Sequence, residues 1–158
     1  MPRNRTPFTI RHADRADLNA LLALEEATFD VDRISHAQWR RHIGSTTAAV
    51  LVGGSADSVD AAAVVFYRRN TRMARLYSLA VGAHARGTGL GGTLLAAAEV
   101  NARARGCHTM QLEVRLDNAS AIALYERQGY LRVARLHHFY EDGADAWRYV
   151  KALTPAMA

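Results

Sequence analysis

Four glycines fall within positions 87–92 of the stretch 86-RGTGLGGTLL-95, and an apolar run closes it. Glycines at that density let a backbone approach a ligand and take up φ > 0. A helix starting just behind them turns free N–H groups and the positive end of its dipole toward the same point. That is the makeup of a phosphate cradle. Further on, in 110-MQLEVR-115, period 2 puts Glu113 on one strand face with Gln111 and Arg115, and Leu112 and Val114 on the other. A carboxylate in mid-strand is either solvated or lines a cleft, and in a cleft it is a candidate base.

Three identities compete for the glycine loop. A P-loop needs G-x-x-x-x-G-K-[ST], and no Lys stands here. The dinucleotide fingerprint is closer: Gly87, Gly89 and Gly92 match G-x-G-x-x-G, and Glu113 lies about 20 residues on, where a ribose-binding acid is expected. Against it, 82-GAHAR-86 separates the strand from the first glycine. Too little chain follows to build the doubly wound sheet that this motif opens.

The elements that must position these residues alternate along the chain. Residues 8–11 (FTIR) form a short strand, and Asp14 caps a helix over roughly 15–28 with Leu18, Leu21, Leu22 and Leu24 mainly on one face. The loop 29-FDVDRIS-35 leads to a second helix capped by Ser35. Strands are expected over 48–54, 61–69 and 73–81, with the turn-rich GGSADSVD between the first two. A helix runs from about Gly89 to Arg105 and stops at Gly106, followed by the strand 110–115 and a short helix from Asn118 to Gln128. Two strands, 130–140 and 144–153, flank the turn 141-EDG-143. This is one α/β domain over 1–158 with a mixed sheet.

Composition narrows the function classes. No apolar run approaches 18 residues, so no helical membrane span is expected. The N-terminal stretch lacks the apolar core of a signal peptide. Cys107 is the only cysteine, which excludes an internal disulfide and points to a reducing, cytoplasmic setting. The formal net charge of +5 suits anionic partners, yet no basic cluster with interleaved aromatics argues for nucleic acid. His84, His108, His137 and His138 have no metal-ligand spacing, so no metal is expected.

The third identity fits the loop and its neighbours together. Arg86-x-x-Gly89-x-Gly91 resembles the [QR]-x-x-G-x-[GA] signature of the GCN5-related N-acetyltransferase (GNAT) superfamily, and 118-NASAIALYERQGY-130 resembles its second signature. With LYSLAV, LEVR-x-x-N and LYERQGY, the chain is similar to the RimI-type branch, which acetylates ribosomal proteins. The resemblance implies a single-domain GNAT fold, a mostly antiparallel sheet of about seven strands flanked by about four helices. It implies acetyl-coenzyme A, with its pyrophosphate on the backbone of Gly87, Thr88, Gly89, Leu90, Gly91 and Gly92. The pantetheine arm would pair with the main chain of Leu79, Ala80 and Val81 as another strand would. Arg86 would shape the loop or meet a phosphate, and Asn118 would contact the coenzyme, cap its helix, or both.

Acyl transfer to an amine requires the amine to lose a proton and the leaving thiolate to gain one or a hydrogen bond. By resemblance, Tyr125 supplies the acid; its hydroxyl has a reference pKa of about 10, near that of a thiol. The alternative is a core aromatic beside Leu124. Glu113, twelve residues earlier, is the implied base, direct or through water; otherwise it is a surface acid paired with Arg115 or an Arg on a neighbouring strand. The acceptor would lie between 29-FDVDRIS-35 and 137-HHFYEDGAD-145, touching Phe29, Asp30 and Tyr140. Asp30 stands where the family often has Pro, and Phe139 replaces the first Tyr of a pair. The acids of both loops, Asp30, Asp32, Glu141, Asp142 and Asp145, would draw a cationic amine. Cys107 follows the helix, away from the thioester, which disfavours a covalent route. The expectation is an N-acetyltransferase working by direct attack in a ternary complex on a protein or peptide amine. A small-molecule amine (polyamine, amino acid or aminoglycoside) and an acyl-coenzyme-A-binding module without turnover are the alternatives, and a homodimer is left open.

Overall fold

The computed structural model describes residues 8–55 and 58–154; Ala56 and Asp57 of the expected turn, and the N-terminal seven residues, lie outside them. The chain begins with β1 (Thr9–His12), α1 (Leu18–Thr28), α2 (His36–Gly44), β2 (Ala48–Gly54), β3 (Ala61–Tyr67) and β4 (Met73–Val81). It continues with α3 (Leu90–Ala104), β5 (Thr109–Arg115), α4 (Ala119–Arg127), β6 (Leu131–Leu136) and β7 (Ala146–Ala152). The strands form one sheet of order β1-β2-β3-β4-β5-β7-β6, antiparallel throughout except for β4 beside β5. This is the expected α/β architecture of seven strands and four helices.

Local chemistry accounts for the element ends. Ser35 Oγ accepts from Gln38 N at 3.2 Å while Gln38 Oε1 accepts from Ser35 N at 2.8 Å, a reciprocal cap for α2. Asp14 caps too, but it closes a 3-10 turn over Arg15–Asp17, and α1 starts only at Leu18. On α3, Leu90, Leu94, Ala98 and Ala102 recur every fourth residue, and all are fully buried. They pack on Ala63, Val65 and Leu76 in the larger core, while α1 and α2 cover Val50, Val52, Ala62 and Val64 on the other sheet face. The strand expected over 130–140 ends at Leu136, because Asp145 Oδ1 accepts from His138 N at 3.0 Å and His138 turns left-handed (φ 52°). Arg68 and Arg69 likewise leave β3, ahead of Asn70 at φ 66°.

Two irregularities shape the sheet. The parallel pairing runs only from Met73–Thr109 to Leu76–Leu112. Beyond it β4 stays with β3 to Val81, and β5 stays with β7 to Arg115, so the two halves of the sheet diverge. Within β4, Leu76 opposes Val65 and Ser78 opposes Val64, which leaves Tyr77 as a bulge residue. The extra residue reverses the alternation. Tyr77 stacks on Phe66 on the α2 side, and Ala80 joins the same core, whereas Leu79 and Val81 turn to the α3 side. Simple period 2 would have put Tyr77, Leu79 and Val81 on one face.

Candidate functional site

The divergence of β4 and β5 opens a cleft of about 320 Å³, walled by both strands, the loop after α1, the start of α4 and the β6–β7 loop. Because the opening passes through the sheet, side chains from both faces reach it. Glu113 belongs to the α1–α2 face, and Tyr125 comes from α4 on the opposite side.

Glu113 is not a surface acid. Its side chain is 4% exposed, and Oε1 lies 3.2 Å from Arg75 Nη2 on β4 and 3.4 Å from Arg148 Nη2 on β7. Gln111 Nε2 donates to the same oxygen at 3.5 Å. Both arginines stand on neighbouring strands, one of the sequence expectations. Arg115, the other expected partner, reaches elsewhere. Its Nη2 meets Asp32 at 3.0 Å, its Nη1 meets Asp142 at 2.9 Å, and its guanidinium lies 4.3 Å from the centre of the Tyr140 ring. One side chain from β5 therefore ties together the two loops expected to hold an acceptor.

Tyr125 is buried, with its ring edge-on to Tyr130 at 5.8 Å. Among the described residues its hydroxyl has no hydrogen-bond partner. Burial, then the nearby Tyr140, push its pKa well above the ordinary tyrosine value, so it stays a neutral O–H donor. Tyr140 is pushed up to about 12, by burial and against the pull of Arg115. Asn118 caps α4 as expected, its Oδ1 accepting from Ala121 N at 3.2 Å, and the residue lines the cleft.

The glycine loop lies beyond the end of β4, outside the cleft proper. Gly87 (φ 75°) and Gly89 (φ 89°) need the left-handed region, and both have open space where a side chain would project. A Cβ on Gly91 would come within 3.3 Å of Val81, and one on Gly92 within 3.1 Å of Gln128. Thr88 Oγ1 donates to Ala85 O, and Leu90 N donates to Thr88 Oγ1 at 3.4 Å. Among the described residues, the N–H groups of Gly87, Gly89, Gly91 and Gly92 have no acceptor. Four donors at one helix start, with no side chains above them, fit a pyrophosphate. Arg86 Nε donates to Val81 O at 3.3 Å, which braces the loop on β4. Leu79, Ala80 and Val81 pair with Ala63, Ala62 and Ala61 along one edge, and β5 has departed from the other.

The acceptor side differs from the sequence picture in detail. Phe29 and Tyr140 line the cleft; Asp30 is exposed and does not. Asp32 and Asp142 are engaged by Arg115, and Asp145 pairs with Arg135 and His137. That leaves Asp30 and Glu141 without an ion pair among the described residues. The loop is braced by Glu25, whose buried Oε1 accepts from Ile34 N at 2.8 Å and whose pKa burial raises. Sequence reasoning missed Arg75, Tyr77 and Arg148, and it also missed that Val31, Tyr77 and Phe139 are large apolar side chains exposed at the cleft. Strand pairing alone reveals Arg75 and Arg148, and the bulge reveals Tyr77. Cys107 is buried past the end of α3, outside the cleft, and burial pushes its thiol up.

Comparison with known proteins matches residues 18–130 to the Acetyltransferase (GNAT) family. N-alpha-acetyltransferase 30 of Schizosaccharomyces pombe is 34% identical over 84 residues, 53% of this chain and 56% of that protein. N-alpha-acetyltransferase MAK3 of Arabidopsis thaliana is 40% identical over 70 residues, 44% of this chain and 36% of that protein. The chain thus spans about half or less of the length of these curated relatives. Among solved structures, the ribosomal-protein-S18-alanine N-acetyltransferase of Escherichia coli superposes with a TM-score of 0.83 at 26% identity, covering 96% of this chain and 97% of that one. The ribosomal-protein-alanine N-acetyltransferase of Brucella melitensis gives 0.78 at 30% identity, covering 92% and 99%.

Proposed function

The chain belongs to the GNAT acetyltransferase family, and from that membership and the geometry of its cleft we propose that it is an acetyl-coenzyme-A-dependent N-acetyltransferase acting on a protein or peptide amine. The observation that carries this reading is the opening between β4 and β5, with Glu113 on one wall and Tyr125 on the other. Names of the relatives favour an α-amine. The exposed apolar side chains of Val31, Tyr77 and Phe139 favour a peptide over a polyamine or aminoglycoside, whose surfaces are polar.

The N–H groups of Gly87, Gly89, Gly91 and Gly92 would hold the pyrophosphate, the free edge at Leu79–Val81 would take the pantetheine amides, and Asn118 would contact the coenzyme from α4. When bound, acetyl-coenzyme A supplies an activated acetyl group: the C–S bond breaks as the C–N bond forms. Glu113 accepts one proton from the acceptor ammonium, directly or across a water, and passes it to solvent. Tyr125 donates its proton to the departing sulfur and recovers one from the acylated nitrogen. One proton is released overall. The raised Tyr125 pKa keeps the donor protonated at every working pH, though such a weak acid acts best by a hydrogen bond that strengthens as charge develops. Tyr140 and Arg115 form the acceptor wall.

Two measurements test this. Calorimetric titration with acetyl-coenzyme A should show micromolar binding, and NADH none; binding of NADH alone would revive the dinucleotide reading. Acetylation of a peptide panel, compared with polyamines and aminoglycosides, should favour peptides with free N-termini. Turnover confined to the small amines would overturn the acceptor assignment, and no turnover with any amine would overturn the enzyme reading.

A further inference from the structure

Among the described residues, three polar atoms of one cluster are buried without a hydrogen-bond partner: Glu113 Oε2, Arg75 Nε and Arg148 Nε. An unpaired buried carboxylate oxygen is unfavourable, and native proteins keep few of them. The cluster is asymmetric. Every donor that reaches Glu113, from Arg75, Arg148 and Gln111, goes to Oε1. The arrangement follows from pairing: Glu113 opposes Arg148 across β5–β7, and Arg75 opposes Gln111 across β4–β5, so all four share one sheet face. Arg75 stands on the last paired stretch of β4, just before the strands diverge. Two cations on two different strands thus converge on one oxygen at the point where the cleft begins.

We propose that Arg75 and Arg148 are positioning residues for acceptor activation: by holding Glu113 through Oε1 they reserve Oε2 for the proton that the acceptor amine brings. In that step one N–H bond of the ammonium breaks, its electron pair stays on nitrogen, and the proton joins Oε2 directly or across one water before leaving to solvent. The inference rests on the acetyltransferase reading and adds two residues to it. The charged and titratable groups nearest Glu113 are Arg75 from β4, Arg148 from β7 and Tyr140 from the β6–β7 loop, with Gln111 its neutral neighbour on β5; Glu25 from α1, Asp32 from the loop after it, Arg115 from β5 and Glu141 from the β6–β7 loop line the same cleft.

The test is the pH dependence of kcat/KM for a peptide acceptor in Arg75→Gln and Arg148→Gln. Removing one cation beside the carboxylate should displace the acidic limb of that profile to higher pH, because a positive charge next to the group that takes up the proton is lost. Coenzyme affinity should stay within about twofold, and Arg→Lys, which keeps the charge, should hold the limb near its wild-type position. In a Glu113→Gln background neither arginine change should move the limb further. A limb unmoved in both Gln variants, or moved equally without Glu113, would overturn the proposal. Glu113→Gln with wild-type rate and profile would instead remove Glu113 itself from the chemistry. Arg75→Gln/Glu113→Gln takes away both charges, so its melting temperature separates a folding defect from a lost role.

Discussion

Tyr125 combines burial, a hydroxyl unpaired among the described residues and a pKa raised far from its ordinary value, all on the wall of the cleft. Tyr125→Phe removes only the hydroxyl and keeps the ring against Tyr130. It should lower kcat roughly ten- to a thousandfold with coenzyme affinity nearly unchanged. Steady-state kinetics beside calorimetry check this; an unchanged kcat would return Tyr125 to a packing role. Arg115 makes the complementary case. Its two charge-assisted contacts join the loops of Asp32 and Asp142, so Arg115→Ala should raise the acceptor KM about tenfold while leaving the coenzyme dissociation constant alone. Equal loss in both constants would mean that the side chain supports the fold rather than the acceptor wall. At this scale the sequence was only half legible. Alternation placed Glu113 with Gln111 and Arg115, but the ion-pair partners of Glu113 come from positions 75 and 148, far apart in the chain.

The glycine loop is an element whose conformation was legible from composition. Gly89 sits at φ 89° as the cap of α3, a conformation that costs an L-residue about 1 kcal/mol or more. Gly89→Ala should weaken acetyl-coenzyme A binding by about tenfold in calorimetry, with little change in the acceptor KM at saturating coenzyme. Wild-type affinity would show that the cradle tolerates a side chain there. Other elements were equally legible: α3 from the glycines at its start and Gly106 at its end, α1 from its leucine face, β5 from its alternation. The end of β6 was not. Nothing in LRVARLHHFY stops a strand; the stop comes from Asp145, ten residues beyond Arg135, which captures His138 N and the Arg135 guanidinium. The bulge at Tyr77 was equally silent, because it exists only as a register between β3 and β4.

At the scale of the whole molecule, burial of tyrosine sets a limit on alkaline stability. Tyr67, Tyr125 and Tyr130 are all in the larger core, and burial raises each pKa, that of Tyr67 to about 12. The unfolded chain ionises these groups near pH 10, before the folded one does. Their contribution is therefore fully present below pH 10 and lost above it, by up to about 1.4 kcal/mol per pH unit for each tyrosine. Urea unfolding followed from pH 8 to 11 should show a constant midpoint to about pH 10 and a steep fall beyond. A midpoint that stays level past pH 10 would contradict burial of these hydroxyls.

The family, the order of elements and the conformation of the glycine loop were determined by sequence, because each rests on local terms: glycine spacing, a helical stripe, an alternating strand. The cleft was decided only by tertiary structure. It exists because β4 keeps β3 and β5 keeps β7 after their mutual pairing ends at Leu76 and Leu112. Strand pairing gathers Arg75, Glu113 and Arg148, and the divergence lets Tyr125 from α4 reach the cleft that Arg75 and Glu113 line. Hydrogen-bond register between distant segments decides such a meeting, and register is a property of pairs of strands rather than of any one of them.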